Sequence, residues 1–232
     1  MTNIIAYGGI SSKNSPSFSE ESFLLADKSN FIDGIMVDAY LTSDNMVVLS
    51  DEYSLMNMGI DKEYINCMSY NDILSINSGS KIKRNHLVLL DKLNEYFNPD
   101  TVLLINIIGC GCKNNDIISY IKNFVNNSNM NIYLYSKSKD ITESLLESNI
   151  NAKIGIKVTN KSSWSYSFNF YVVDNFWINN YEINKKLNND CEIFIGIINN
   201  KEEVDNLKLE LGADFSKCYL VSKSPGVIKK YI

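Results

Sequence analysis

The feature that most constrains this chain is a rhythm. Eight short apolar runs of β-forming character recur at 4–6, 34–39, 102–107, 132–135, 154–158, 168–173, 193–197 and 218–221. Between most of them lie segments with apolar residues at helical spacing, among them 20–28, 116–126, 142–148 and 201–211. Strands separated by helices cannot pair as hairpins; each link must cross over, which makes the sheet parallel. Eight such units close a cylinder, and 232 residues is near the roughly 250 of a (β/α)8 barrel. The expected class is therefore α/β, a TIM barrel.

One run breaks the rhythm. Residues 46–49 follow 34–39 after Thr42-Ser43-Asp44-Asn45, too few for a parallel crossover. They are expected to form an accessory strand that opens an insertion after the second barrel strand, at about residues 42–98. The insertion continues through a segment at 71–75, a loop at 77–84 and a helix at 89–97. With three prolines and no Pro/Gly-rich linker, the expectation is a single domain over 1–232.

Composition narrows the function class. At 45% hydrophobic and 21% charged the chain can bury a full core. A net charge of −5 argues against nucleic acid or an anionic membrane as the main partner. No apolar run approaches the ~18 residues of a membrane span. The opening MTNIIAYGG has neither a basic nor a long apolar region, so a cytoplasmic location is expected. The five cysteines are odd in number and unevenly spaced, which points to reduced thiols. Cys110-Gly111-Cys112 could pair on a metal, but zinc wants Cys/His ligands in number and the chain has one histidine, His86. A plain loop pair is expected, with His86 a solvated loop residue and Lys81, Lys83 and Arg84 a solvated basic face. Trp164 and Tyr166 are expected to pack at the entry to the strand that follows them.

Six motifs carry a family resemblance. Ile4-Ile5-Ala6-Tyr7-Gly8-Gly9, then Pro16 to Phe23, then Asp33-Gly34-Ile35-Met36-Val37-Asp38, then Val47-Val48-Leu49-Ser50-Asp51-Glu52 resemble glycerophosphodiester phosphodiesterases. That family reads I-I-A-H-R-G, P-E-N-T…F, D-G-I-E-L-D and V-V-I-H-D-E at these places. Phe194 to Asn200 with Glu202-Glu203, and Gly212-Ala213-Asp214 with Ser222 to Pro225, resemble its C-terminal motifs. Order and spacing hold over nearly the whole chain. The resemblance implies a TIM barrel with an insertion after the second strand, in agreement with the pattern.

The resemblance also shows what is missing. The family's two catalytic histidines fall on Tyr7 and Ser50, and its phosphate-holding arginine on Gly8. Its metal carboxylates fall on Met36, Asp38 and Asn106, and a lysine on Ile108. The P-E-N motif becomes Pro16-Ser17-Phe18; of the catalytic and metal positions Asp38 keeps the family's residue, as does the structural Asp51 beside the lost histidine. A calcium-like cation wants about six to eight oxygen ligands, and a thioether suits it poorly. Neither tyrosine nor serine shuttles protons near neutrality.

The expectation is a catalytically degenerate barrel that binds or scaffolds, with no cofactor and Asp38 a remnant of the metal site. Its partner would be an unidentified small molecule or protein, and its pocket would prefer neutral or partly apolar ligands. The alternative is a working phosphodiesterase, giving glycerol 3-phosphate and an alcohol, with weak Ca²⁺ or Mg²⁺ held by Asp38 and replacements among Asp33, Asp44, Asp51 and Glu52. A further alternative is a subunit that stabilises an active paralogue. The expected pocket comprises Tyr7, Gly8, Ser17, Phe18, Met36, Asp38, Ser50, Asp51 and Asn106, joined at the rim by Lys157 and Asp174. That last pair is either a rim salt bridge or a pair that holds an anion or serves as a base.

Overall fold

A computed structural model describes residues 2–12, 15–57, 59–75, 87–109 and 111–232. Its strands in chain order are β1 (Asn3–Tyr7), β2 (Gly34–Leu41), β3 (Val47–Leu49), β4 (Val88–Leu89), β5 (Val102–Ile107), β6 (Asn131–Ser136), β7 (Lys153–Val158), β8 (Phe170–Val173), β9 (Glu192–Gly196) and β10 (Tyr219–Ser222). Eight of these pair in parallel in the order β1-β10-β9-β8-β7-β6-β5-β2, and β2 returns to β1 to close the ring. All eight expected barrel strands are present within two residues of their expected bounds. β2 is buried at every position, which is why it reads as one apolar run broken only by Asp38.

The expected accessory strand is β3. It pairs antiparallel with the end of β2, Tyr40 opposite Val48, and with β4 on its other side. The helices are α1 (Glu20–Asp27), α2 (Glu52–Asn57), α3 (Tyr70–Ser75), α4 (Leu93–Tyr96), α5 (Asn114–Asn126), α6 (Lys139–Glu147), α7 (Asn180–Leu187), α8 (Lys201–Leu211) and α9 (Pro225–Ile228). Side-chain oxygens of Ser19, Ser138, Asn179 and Asn200 cap α1, α6, α7 and α8 by accepting a first-turn N–H. At α8 the cap is strengthened, because Glu203 Oε2 also accepts from Asn199 N at 2.6 Å.

Two details differ from the expectation. The helix expected at 89–97 begins as a 3-10 turn over Leu90–Lys92 before α4. The link from β7 to β8 holds a 3-10 turn, Lys161–Ser165, in place of an α-helix. There Trp164 is buried and stacks on Tyr171, centroids 5.5 Å apart, which supplies the apolar cover a helix would give. This is the strand-entry packing expected of Trp164. The loop at 77–84, Lys81, Lys83, Arg84, His86, Cys110 and the Cys112 side chain lie outside the described residues.

Candidate functional site

Parallel strands bring all their C-terminal ends to one rim of the barrel. A cavity of about 600 Å³ opens there. At its base the sheet register sets Asp38 of β2 beside Asn106 of β5, and Asn106 beside Tyr135 of β6. β1 contributes Tyr7, paired with Met36 of β2. These residues line the cavity because they share the inward face of neighbouring strands.

Asp38 is the centre of the arrangement. Tyr7 Oη donates to its Oδ2 at 2.6 Å, and Asn106 Nδ2 donates to its Oδ1 at 2.8 Å. Burial raises the Asp38 carboxyl above its usual range, while the two hydrogen bonds pull it back. Burial, and then Asp38 itself, push the Tyr7 phenol far above its usual value, so Tyr7 keeps its proton. Two polar groups next to this cluster are incompletely satisfied. Among the described residues, Asn106 Oδ1 is buried with no hydrogen-bond partner. Tyr135 Oη meets the thioether sulfur of Met36 at 3.8 Å, and a thioether is a weak acceptor.

Ion pairs stand higher on the rim. Lys157 Nζ lies 2.9 Å from Asp174 Oδ1, so β7 and the end of β8 bring together the two rim residues expected from the sequence. Lys223, just past β10, reaches Asp51 Oδ2 at 3.0 Å and lies 5.0 Å from the centre of the Tyr7 ring.

Of the expected pocket, Tyr7, Met36, Asp38, Asp51, Asn106, Lys157 and Asp174 line the cavity. Gly8, Ser17, Phe18 and Ser50 do not. Phe18 is buried behind Tyr7, ring edge to face at 5.2 Å. Gly8 has φ +67°, and a Cβ there would meet the Phe18 ring at 2.6 Å, so this position packs on Phe18 instead of facing the opening. Ser17 sits half-buried in the turn before α1, and Ser50 is fully buried with its hydroxyl near the Asp51 carbonyl at 3.3 Å. Lys223, Lys137, Tyr40 and Tyr135 line the cavity and were missed. The available signal was position: Tyr135 and Lys223 sit at or just beyond the C-terminal ends of barrel strands, as does Lys137.

The family's divalent cation does not fit this donor set. Asp38 is the one carboxylate among the three corresponding positions, and each of its oxygens accepts a hydrogen bond, from Tyr7 and from Asn106. Of the candidate replacements, Asp51 and Glu52 line the same cavity, while Asp33 and Asp44 are held elsewhere. Asp33 accepts from Ile4 N at 2.7 Å, at the start of β1 and opposite the cavity; Asp44 holds Thr42 Oγ1 and Tyr70 N; Asp51 pairs with Lys223. Among the described residues, no three His, Cys, Asp or Glu side chains gather closely enough to hold a metal ion.

The cylinder as a whole matches solved structures of one enzyme group. A phosphodiesterase of Oleispira antarctica, in complex with the product sn-glycerol-3-phosphate, matches over 100% of this chain and 96% of its own, with TM-score 0.81 and 15% identity. A glycerophosphodiester phosphodiesterase of Parabacteroides distasonis matches over 99% and 95%, with TM-score 0.77 and 12% identity. One from Thermotoga maritima matches over 99% and 98%, with TM-score 0.75 and 15% identity. The fold is that of the glycerophosphodiester phosphodiesterases. At these identities the likeness is one of fold. No protein-family model matches the chain, and neither does any curated protein. Among the described residues no helix is long and apolar enough to cross a membrane.

Proposed function

We propose that this chain is a degenerate relative of the glycerophosphodiester phosphodiesterases, a barrel that binds a ligand at its mouth without hydrolysing phosphodiesters. The observation that carries this reading is the capping of Asp38. A calcium-like cation gathers several anionic oxygens, whereas Asp38 stands as the one carboxylate at the three matching positions and each of its oxygens accepts from a neutral donor. Acid–base chemistry is equally poorly supplied. Tyr7 holds its proton, and Ser50 is buried with its hydroxyl against backbone. General acid–base help is worth about 10²–10⁴-fold per role, so losing two roles together with the cation removes the family's route.

The test is hydrolysis of a glycerophosphodiester panel, glycerophosphocholine included, with Ca²⁺ and with Mg²⁺, beside an active member of the family. The expected result is no turnover above buffer at high protein concentration. Turnover that disappears in Asp38→Ala would overturn the proposal and restore a rebuilt metal site.

A further inference from the structure

Two incompletely satisfied groups belong to neighbouring strands at the base of the cavity. Asn106 and Tyr135 are register partners on β5 and β6, and both line the opening. As an ionised carboxylate Asp38 accepts from both neighbours, which fixes Asn106 Nδ2 toward it. Asn106 Oδ1 is thus a committed acceptor, 94% of the residue's surface is buried, and among the described residues no donor reaches it. Tyr135 is a committed donor of the opposite kind. Burial pushes its phenol well above the usual value, so it keeps its proton, and a thioether at 3.8 Å is the acceptor it has found. Protein interiors leave few such groups unmatched, and exceptions mark places where something else supplies the partner.

We infer that the cavity binds an uncharged ligand whose head group carries a hydrogen-bond donor beside an acceptor, as an alcohol or a primary carboxamide does, donating to Asn106 Oδ1 and accepting from Tyr135 Oη. This rests on the reading of the mouth as a binding site and not a phosphodiesterase centre. Charge selects the neutral head. An anionic head would set its own acceptors against the Asp38 carboxylate and Asn106 Oδ1. A cationic head would leave the Tyr135 hydroxyl facing sulfur. Met36, Ile107, Val172 and Val221 add apolar surface to the lining, so a short carbon body accompanies the head. Lys157 and Lys223 are spent on rim ion pairs and Lys137 is exposed at the mouth, so none of the three is needed for recognition.

The experiment titrates the full chain, in buffer with chelator, with propionamide, 1-propanol, propionate and propylammonium, following ligand saturation-transfer NMR. Both neutral probes are expected to bind saturably, each at least about tenfold more tightly than the two ions. Tyr135→Phe and Asn106→Leu are each expected to weaken the neutral probes about tenfold. Tyr135→Phe deletes one oxygen and keeps the ring, so the test stands even where Asn106→Leu does not fold. The tighter of the amide and the alcohol identifies the head group. Equal binding of all four probes, preference for either ion, no saturable binding of the neutral pair, or affinities unchanged in Tyr135→Phe would each overturn the inference. The chelated assay contains no phosphodiester, so its failure leaves the proposed function standing, and Asp38-dependent turnover would strike that reading alone.

Discussion

Tyr133 and Tyr135 sit two residues apart on β6, both turned into the barrel, and their surroundings differ. Tyr133 lies toward the floor, among Phe170 and Phe194 with ring centroids 5.3 and 5.2 Å away, and Phe194 stacks on Tyr219 at 4.4 Å. Its hydroxyl donates to Glu192 Oε1 at 2.8 Å and accepts from Lys153 Nζ at 3.0 Å, and Lys153 closes the set on Glu192 Oε2 at 2.6 Å. Every polar group named there has a strong partner. Tyr135, one layer up, faces a thioether, next to an amide oxygen with no partner among the described residues. The floor is a filled and satisfied core; the mouth leaves polar groups waiting. The same eight strands build both, so the difference comes from a few inward positions and not from the architecture. Barrel folds separate stability from function in this way, with chemistry at the C-terminal ends of the strands.

The largest effect that could break this contrast is on the floor. Phe194→Ala is expected to cost about 3–5 kcal/mol in urea unfolding, since it opens a void among three aromatic neighbours. A loss below about 1 kcal/mol would mean that the floor is no tighter than the mouth.

Next is Tyr7→Phe, which strips a donor from the buried Asp38 carboxylate and is expected to cost about 2 kcal/mol at neutral pH. The pH dependence sharpens this expectation. Burial holds Asp38 above its usual value, so the folded chain binds that proton more readily than the unfolded chain does. Stability from this group therefore falls as pH rises from the ordinary aspartate range through the folded value. Removing the Tyr7 hydrogen bond raises the folded value further, so the cost is largest at neutral pH and shrinks in acid. Unfolding curves for both proteins between about pH 4 and pH 8 check it, and a cost independent of pH would show that Tyr7 does not serve the Asp38 charge.

The smallest effect belongs to the rim. Lys157→Met breaks the pair with Asp174, whose side chains are 18% and 25% exposed, and is expected to cost under about 1 kcal/mol in the same assay. A larger loss would make the rim part of the core.

Much of this site was legible before folding. Lys157 and Asp174 could be placed together because each closes a strand, and parallel strands share a rim. Asp38 and Asn106 could be placed because their motifs align with metal positions. Phe18 and Ser50 were misplaced for the converse reason: a motif position says nothing about whether a side chain turns toward the opening or behind it. Phe18 adopts φ +64° and packs behind Tyr7, a conformation that an apolar residue rarely takes and that no pattern announces. Lys223 went unnoticed because its partner Asp51 lies 172 residues earlier in the chain.

The sequence by itself determined the ring of strands, the accessory β3 and the residue types at the positions that align with the family's motifs, because alternation, helical spacing and motif order are local properties of a chain. Only the tertiary structure decided that Tyr7 and Asn106 would cap Asp38, that Asn106 Oδ1 would be left without a partner among the described residues, and that Tyr135 Oη would face a thioether. Those outcomes depend on register between strands tens of residues apart and on which of several donors reaches a buried carboxylate first. Hydrogen-bond strength falls steeply over a fraction of an ångström, and distances that fine exist only once the barrel has closed.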